Sequence, residues 1–166
     1  MINVDPSAKV STLVDIEPSK KGTIIEIGPR TFIDSFVKLK SVGGKGDIFV
    51  GSDSFINSGC VLYSGNGIKI GSNVLIAANC TLAPVNHKYI EKNKLISKQG
   101  FGKSKGGIFI ADDVWIGANT VILDGAYINE GCVVGAGSLV NSQLPPYSIS
   151  YGRPAKHKSF RKWIFL

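Results

Sequence analysis

Residues 110–140 read IADDVWIGANTVILDGAYINEGCVVGAGSLV. Within them Ile110, Ile116, Ile122, Ile128, Val134 and Val140 recur every six residues without a slip. Outward from this stretch the period returns in Val4, Val10 and Ile16, in Ile27, Ile33 and Leu39, in Val50, Ile56 and Leu62, and in Ile70, Ile76 and Leu82. The residue after the aliphatic is often Gly or Ala, as at Gly28, Gly51, Gly71, Ala77, Gly117 and Gly135. The fourth after it is small or β-branched, as at Thr31, Ser54, Val74, Val114, Thr120, Ala126 and Ser138. Each six-residue unit reads as a short strand plus a turn, and three units close one triangular coil. The aliphatic side chains then stack on those of the next coil, about 4.8 Å away, and each coil buries its apolar face only against its neighbours.

The period breaks after Ile16, Leu39, Leu62 and Leu82, always at the end of a three-unit group, so the insertions leave the prism from one corner. The longest, 88–107, carries six Lys and one Glu. Long loops in compact domains usually serve a site, the alternative being a merely solvated loop. The expected architecture is all-β: a parallel β-helix of about six coils over 1–155, interrupted by the loop insertion 88–107. The tail, 156–166, ends in the apolar and aromatic SFRKWIFL and is expected to form a short helix against a neighbouring subunit or the end of the prism.

Composition bounds the function. A chain of 166 residues, 43% hydrophobic and 19% charged, is one folded domain with a core. The opening MINVDPSAKV lacks the charged and apolar regions of a secretory signal, and no apolar run is long enough to cross a bilayer, so the expected compartment is the cytoplasm. Cys60, Cys80 and Cys132 each stand four residues after a stacked aliphatic. There they read as small hydrophobes and not as disulfide, nucleophile or metal ligand. The net charge of +7 calls for an anionic partner. With no aromatic–basic interleaving and no helix-turn-helix pattern, nucleic acid is not expected; a phosphorylated cofactor or an acidic saccharide is.

The segments VLIAANCTLAPVNH, GGIFIADDVWIGANTVILDGAYINEGCVVGAGSLV and LPPYSISYGRPAK, all within residues 74–156, resemble the hexapeptide-repeat acyltransferases. The likeness is to bacterial O-acetyltransferases of the galactoside/maltose, antibiotic and surface-polysaccharide (lipopolysaccharide or capsule) type. That resemblance, and not the periodicity, implies a left-handed coil, acetyl-CoA as the acyl donor and a homotrimer with its sites between neighbouring chains. It implies direct acetyl transfer to a sugar hydroxyl, with an amino group of a nucleotide-linked sugar or an antibiotic as the alternative acceptor. Peripheral membrane contact is a lesser expectation for lipid-linked acceptors. A metal-dependent carbonic anhydrase of the same fold needs three His ligands, and this chain has only His87 and His157. A non-enzymatic stack of repeats has no use for a loop opened by a histidine.

Residue by residue, the resemblance makes His87 the catalytic base, since it opens the long loop and an imidazole can take a proton near neutral pH. His157, among Lys156, Lys158, Arg161 and Lys162, reads as a surface residue. Asn57 matches an acceptor-site asparagine, though asparagine also caps turns. Trp115 matches the Trp-Ile-Gly motif beside the acyl end of the cofactor; an outward Trp can equally meet a neighbouring subunit. Gly117, Ala118 and Ala136 match the slot for the pantetheine arm. The spacing agrees, because Ala118 and Ala136 are eighteen residues, or one coil, apart. Asn141, Ser142, Arg153 and Lys156 match positions that contact the rest of the cofactor, with the two cations suited to phosphates. Asn141 and Ser142 depart from the Thr-Lys pair common there. The partner that orients His87 is expected to be a backbone carbonyl or an acid from another subunit.

Overall fold

The computed structural model describes residues 1–162 and residue 164. Three sheets form the faces of a triangular prism, wound as a left-handed parallel β-helix. Face one stacks Ile2–Val4, Ile25–Ile27, Ile48–Val50, Ile68–Ile70, Ile108–Ile110, Tyr127–Ile128 and Gln143–Leu144. Face two stacks Lys9–Val10, Phe32–Ile33, Phe55–Ile56, Leu75–Ile76, Trp115–Ile116, Val133–Val134, Ser148–Gly152 and Ala155–Phe160. Face three stacks Asp15–Glu17, Lys38–Lys40, Val61–Tyr63, Thr81–Ala83, Val121–Leu123 and Leu139–Val140. Six coils are complete and a seventh is partial.

The six-residue period maps directly onto the core. Ile27, Val50, Ile70, Ile110 and Ile128 pair in register up face one. Ile33, Ile56, Ile76, Ile116 and Val134 do so up face two, and Leu39, Leu62, Leu82, Ile122 and Val140 up face three. All of these are buried. Val4 is exposed and Val10 and Ile16 are half-buried, because the first coil has no coil beneath it.

The turns explain the small residues. At the first turn position, a Cβ on Gly117 would lie 2.5 Å from the Ala136 nitrogen one coil above. At the third, the backbone enters the left-handed region at Arg30, Phe36, Asp53, Asn73, Asn79, Asp113 and Asn119, and at Gly59, Gly131 and Gly137. Asn and Asp visit that region more readily than most residues, and Gly enters it freely. At the fourth, a buried hydroxyl or thiol donates to a carbonyl of the next coil: Thr31 to Gly51 (2.6 Å), Ser54 to Gly71 (3.2 Å), Cys60 to Ala77 (3.2 Å) and Cys80 to Gly117 (3.3 Å). The cysteines hold this place as hydroxyl substitutes, and all three are free and buried.

The expected C-terminal helix is a strand. Ala155–Phe160 runs back antiparallel to Ser148–Gly152. The last coil leaves an unpaired sheet edge whose N–H and C=O groups need partners, and the returning chain supplies them. Trp163, Phe165 and Leu166, also in the expected helix, lie outside the described residues. The insertions do share one edge, between faces three and one. The longest link there runs 84–107 and contains a single helical turn, Ile96–Gln99. No helix among the described residues is long and apolar enough to cross a membrane.

Candidate functional site

His87 sits four residues past the face-three strand Thr81–Ala83, where the chain leaves the prism. The outgoing and returning legs of the insertion form a short antiparallel ribbon. Lys88 N–H donates to Gly100 O at 2.9 Å, and Gly102 N–H to Asn86 O at 2.7 Å. His87 therefore lies opposite Phe101, and the two rings stack with centroids 4.8 Å apart and planes inclined by 38°. Among the described residues no carbonyl or carboxylate bonds the imidazole, so within the chain it is oriented by stacking. The ring is exposed at a cavity of about 640 Å³ whose lining includes Asn86, Lys103, Lys105, Asp124 and Asn141.

The base of the insertion is cinched by two residues that the repeat pattern did not single out. Asp124, only 2% exposed, accepts the N–H of Gly107 on Oδ1 (2.9 Å). Its Oδ2 accepts the N–H of Lys105 (2.8 Å) and the Asn66 side-chain amide (3.1 Å). Asn66 in turn donates its backbone N–H to Pro84 O on the outgoing leg, at 3.1 Å. Asp124 occupies a turn on the edge from which the insertions leave. That edge is fixed by the breaks in the period, so the sequence did hold a signal for it.

The other expected residues fall on two further parts of the prism. Gly117, Ala118 and Ala136 lie on the edge between faces two and three, away from His87's edge. Ala118 and Ala136 stack in one column, joined by the Gly137 N–H to Ala118 O bond at 2.8 Å. Among the described residues the N–H groups of Ala118 and Ala136 have no hydrogen-bond partner; Ala118 is half-buried and Ala136 exposed. Arg153 joins this edge through Nε, which donates to Gly137 O at 2.6 Å. Lys156 is exposed on the returning strand, opposite Tyr151.

Asn57 stands on the same edge two coils below Gly117, and its side-chain amide donates to Ile76 O at 2.8 Å. Asn129 makes the equivalent bond to Leu144 O, at 2.6 Å. The turn-capping use of Asn57 is therefore realised. Asn141, expected with the cofactor residues, instead lines the His87 cavity, and Ser142 is exposed beside it. Trp115 is on face two, 53% exposed. It belongs to an outward apolar ladder of Phe32, Phe55, Leu75, Trp115, Val133 and Ile149, paired in register.

Two stretches match models of known families: residues 48–84 match the hexapeptide repeat of succinyl-transferase, and residues 107–142 the bacterial transferase hexapeptide (six repeats). A Staphylococcus aureus (strain COL) protein with an inferred acetyltransferase designation is 37% identical over 110 residues, which are 66% of this chain and 53% of that protein. A Mycobacterium tuberculosis (strain ATCC 25618 / H37Rv) protein with a similar designation is 29% identical over 156 residues, 94% of this chain and 49% of the relative. The chain thus spans about half the length of these relatives. Among solved structures, a variant of AntD, an N-acyltransferase from Bacillus cereus in complex with dTDP-4-amino-4,6-dideoxyglucose and coenzyme A, superposes with a TM-score of 0.81 at 26% identity. That match covers 98% of this chain and 84% of AntD. A hexapeptide transferase family protein from Anaplasma phagocytophilum, 21% identical, shares the fold with a TM-score of 0.73 over 97% of this chain and 80% of its own.

Proposed function

We propose that this chain, built from the hexapeptide repeats of bacterial transferases, is an acetyl-CoA-dependent acyltransferase whose His87 activates a sugar hydroxyl. The observation that carries the reading is an exposed imidazole held by a ring stack at the mouth of a cavity beside the long insertion. In this reading His87 takes the proton of the acceptor hydroxyl as its oxygen bonds to the thioester carbon. It then returns that proton to the departing CoA sulfur as the carbon–sulfur bond breaks, so charge and atoms balance.

The residues present fit the donor. The unpartnered N–H groups of Ala118 and Ala136 offer hydrogen bonds to an extended pantetheine arm, and the Ala118 N–H is suited to the oxygen on which negative charge develops, a stabilisation worth about 3 kcal/mol. Arg153 and Lys156 supply cationic side chains for phosphates. Their edge and His87's edge are different, so a complete site needs a second copy. A homotrimer with its sites between chains meets that need, and the apolar ladder through Trp115 suits burial against a neighbour or against the acyl end of the donor. Asn57 then contributes to the donor site by its place on that edge, and Asn141 and Ser142 lie on the His87 side of the site. The compartment that fits is the cytoplasm, where acyl-CoA is made.

The likeness to AntD favours a second reading, in which the acceptor is the amine of a nucleotide-linked sugar. Release of CoA thiol from acetyl-CoA decides between them when measured over sugars, surface oligosaccharides, nucleotide-linked amino sugars and aminoglycoside or chloramphenicol-type drugs. Turnover with hydroxyl acceptors alone supports the first reading and turnover with amines alone the second. No turnover with any member of the panel rejects both.

A further inference from the structure

We propose that Asp124 is a positioning residue for His87, acting through the returning leg of the insertion. The inference rests on His87 as the base and extends that reading to a residue that does not touch the imidazole. Asp124 is a nearly fully buried carboxylate in a prism whose other buried polar side chains are uncharged. A charge in such a place is retained only when donors surround it. Here there are three, and none comes from Lys or Arg side chains: the backbone amides of Lys105 and Gly107 and the side chain of Asn66.

Two of those donors belong to the returning leg, and the third belongs to a residue that holds the outgoing leg at Pro84. The Gly125 N–H reinforces the anchorage by donating to Gly107 O at 2.7 Å. From Lys105 the leg runs four residues back to Phe101, the only aromatic ring that stacks on His87 among the described residues. Among the described residues the imidazole has no hydrogen bond of its own to fix it. Its placement therefore depends on Phe101, that of Phe101 on the returning leg, and that of the leg on Asp124. A neutral isostere breaks this chain in a defined way. The substitution Asp124→Asn would keep the shape but turn one acceptor oxygen into an N–H donor facing other donors, leaving buried N–H groups unpaired.

The test uses full-length protein labelled with ¹³C in histidine. With two histidines in the chain, His87→Ala assigns the His87 ring signal. Phe101→Leu gives the signal of an unstacked imidazole. In Asp124→Asn the His87 signal is expected to move most of the way to the Phe101→Leu value, while circular dichroism retains the β-helix spectrum. Acetyl-CoA turnover should fall by about ten- to a hundredfold through loss of alignment, the affinity for CoA should stay within about twofold, since its site is on another edge, and the substitution should add no further loss in a His87→Ala background. Should Asp124→Asn fail to fold, Asn66→Ala removes one donor and leaves the carboxylate, and a smaller movement in the same direction is expected. An unmoved His87 signal in a folded variant of either kind overturns the proposal. If His87→Ala itself keeps full turnover, the base assignment fails, while the ring signal still decides whether Asp124 places the imidazole.

Discussion

His87 and Ala118 stand on different edges of the same prism, the imidazole where faces three and one meet and the methyl group where faces two and three meet. In the proposed assembly, a site that uses both draws them from two chains. His87→Ala alone should lower turnover by about a hundredfold or more with CoA binding intact, and Ala118→Trp alone should obstruct the proposed donor site on its edge. Mixing equal amounts of the two variants through unfolding and refolding should restore activity, because the proposed trimer can pair an intact His87 with an intact Ala118. With half the chains of each kind, about one site in four is complete, so about a quarter of wild-type turnover is expected. Mixed trimers without activity would place the whole site within one chain.

Trp115 projects from face two with half its surface exposed. Trp115→Ala should raise the KM for acetyl-CoA by about tenfold, as loss of a large aromatic contact does, with a smaller change in kcat. A KM that stays at the wild-type value while the proposed trimer is lost would assign the residue to subunit contact instead.

Gly117 is constrained by the coil above it and not by its own backbone, which has no positive φ. Since a Cβ there would lie 2.5 Å from Ala136 N, Gly117→Ala should destabilise by about 1–3 kcal/mol and lower Tm by roughly 3–10 °C. Differential scanning calorimetry checks this. Ala77, one coil below in the same column, is the natural control, and Ala77→Gly should leave Tm nearly unchanged.

The Arg30 guanidinium holds the Asp53 carboxyl below the ordinary carboxylate range, through two hydrogen bonds of 2.6 Å. The folded chain thus binds this proton less readily than the unfolded chain. The pair's contribution is complete above the unfolded carboxylate value of about 3.9 and is lost as pH falls through the lower folded one. Denaturant midpoints measured from pH 6 downward should decline less steeply in Asp53→Asn than in wild type. Because both side chains are exposed, the effect should shrink in high salt.

All three thiols are buried, and the neighbouring Cys80, together with burial, pushes the Cys60 thiol up. A thiol reagent should find no reactive cysteine in the folded chain at pH 8 and three in guanidinium, because folding shields all three sulfurs from the reagent. Rapid labelling before denaturation would show that the coils open locally.

Much of this architecture could be read from the repeat. Ile110, Ile116 and Ile122 gave three inward columns because every coil repeats one packing problem, and the breaks after Leu39, Leu62 and Leu82 gave the edge from which loops leave. The third turn position was missed, since it is set by backbone handedness and accepts Arg30 and Phe36 as well as Asn, Asp and Gly. The stack of His87 on Phe101 was also hidden, because it depends on how fourteen residues fold back. Asp124 was not singled out by the repeat, for its burial comes from a leg that arrives from an earlier insertion. The tail misled for a different reason: its apolar end suggested a helix, whereas the open edge at Ser148–Gly152 imposed a strand on Ala155–Phe160.

Ile68–Ile70 and Ile108–Ile110 pair in the same register as coils joined by short links, although the excursion 84–107 lies between them in the chain. The stack is blind to the size of what leaves it at that corner. The part of the excursion beyond its anchored base can therefore change in length without repacking an interior column, whereas the base cannot, because Lys105 and Gly107 satisfy the buried Asp124.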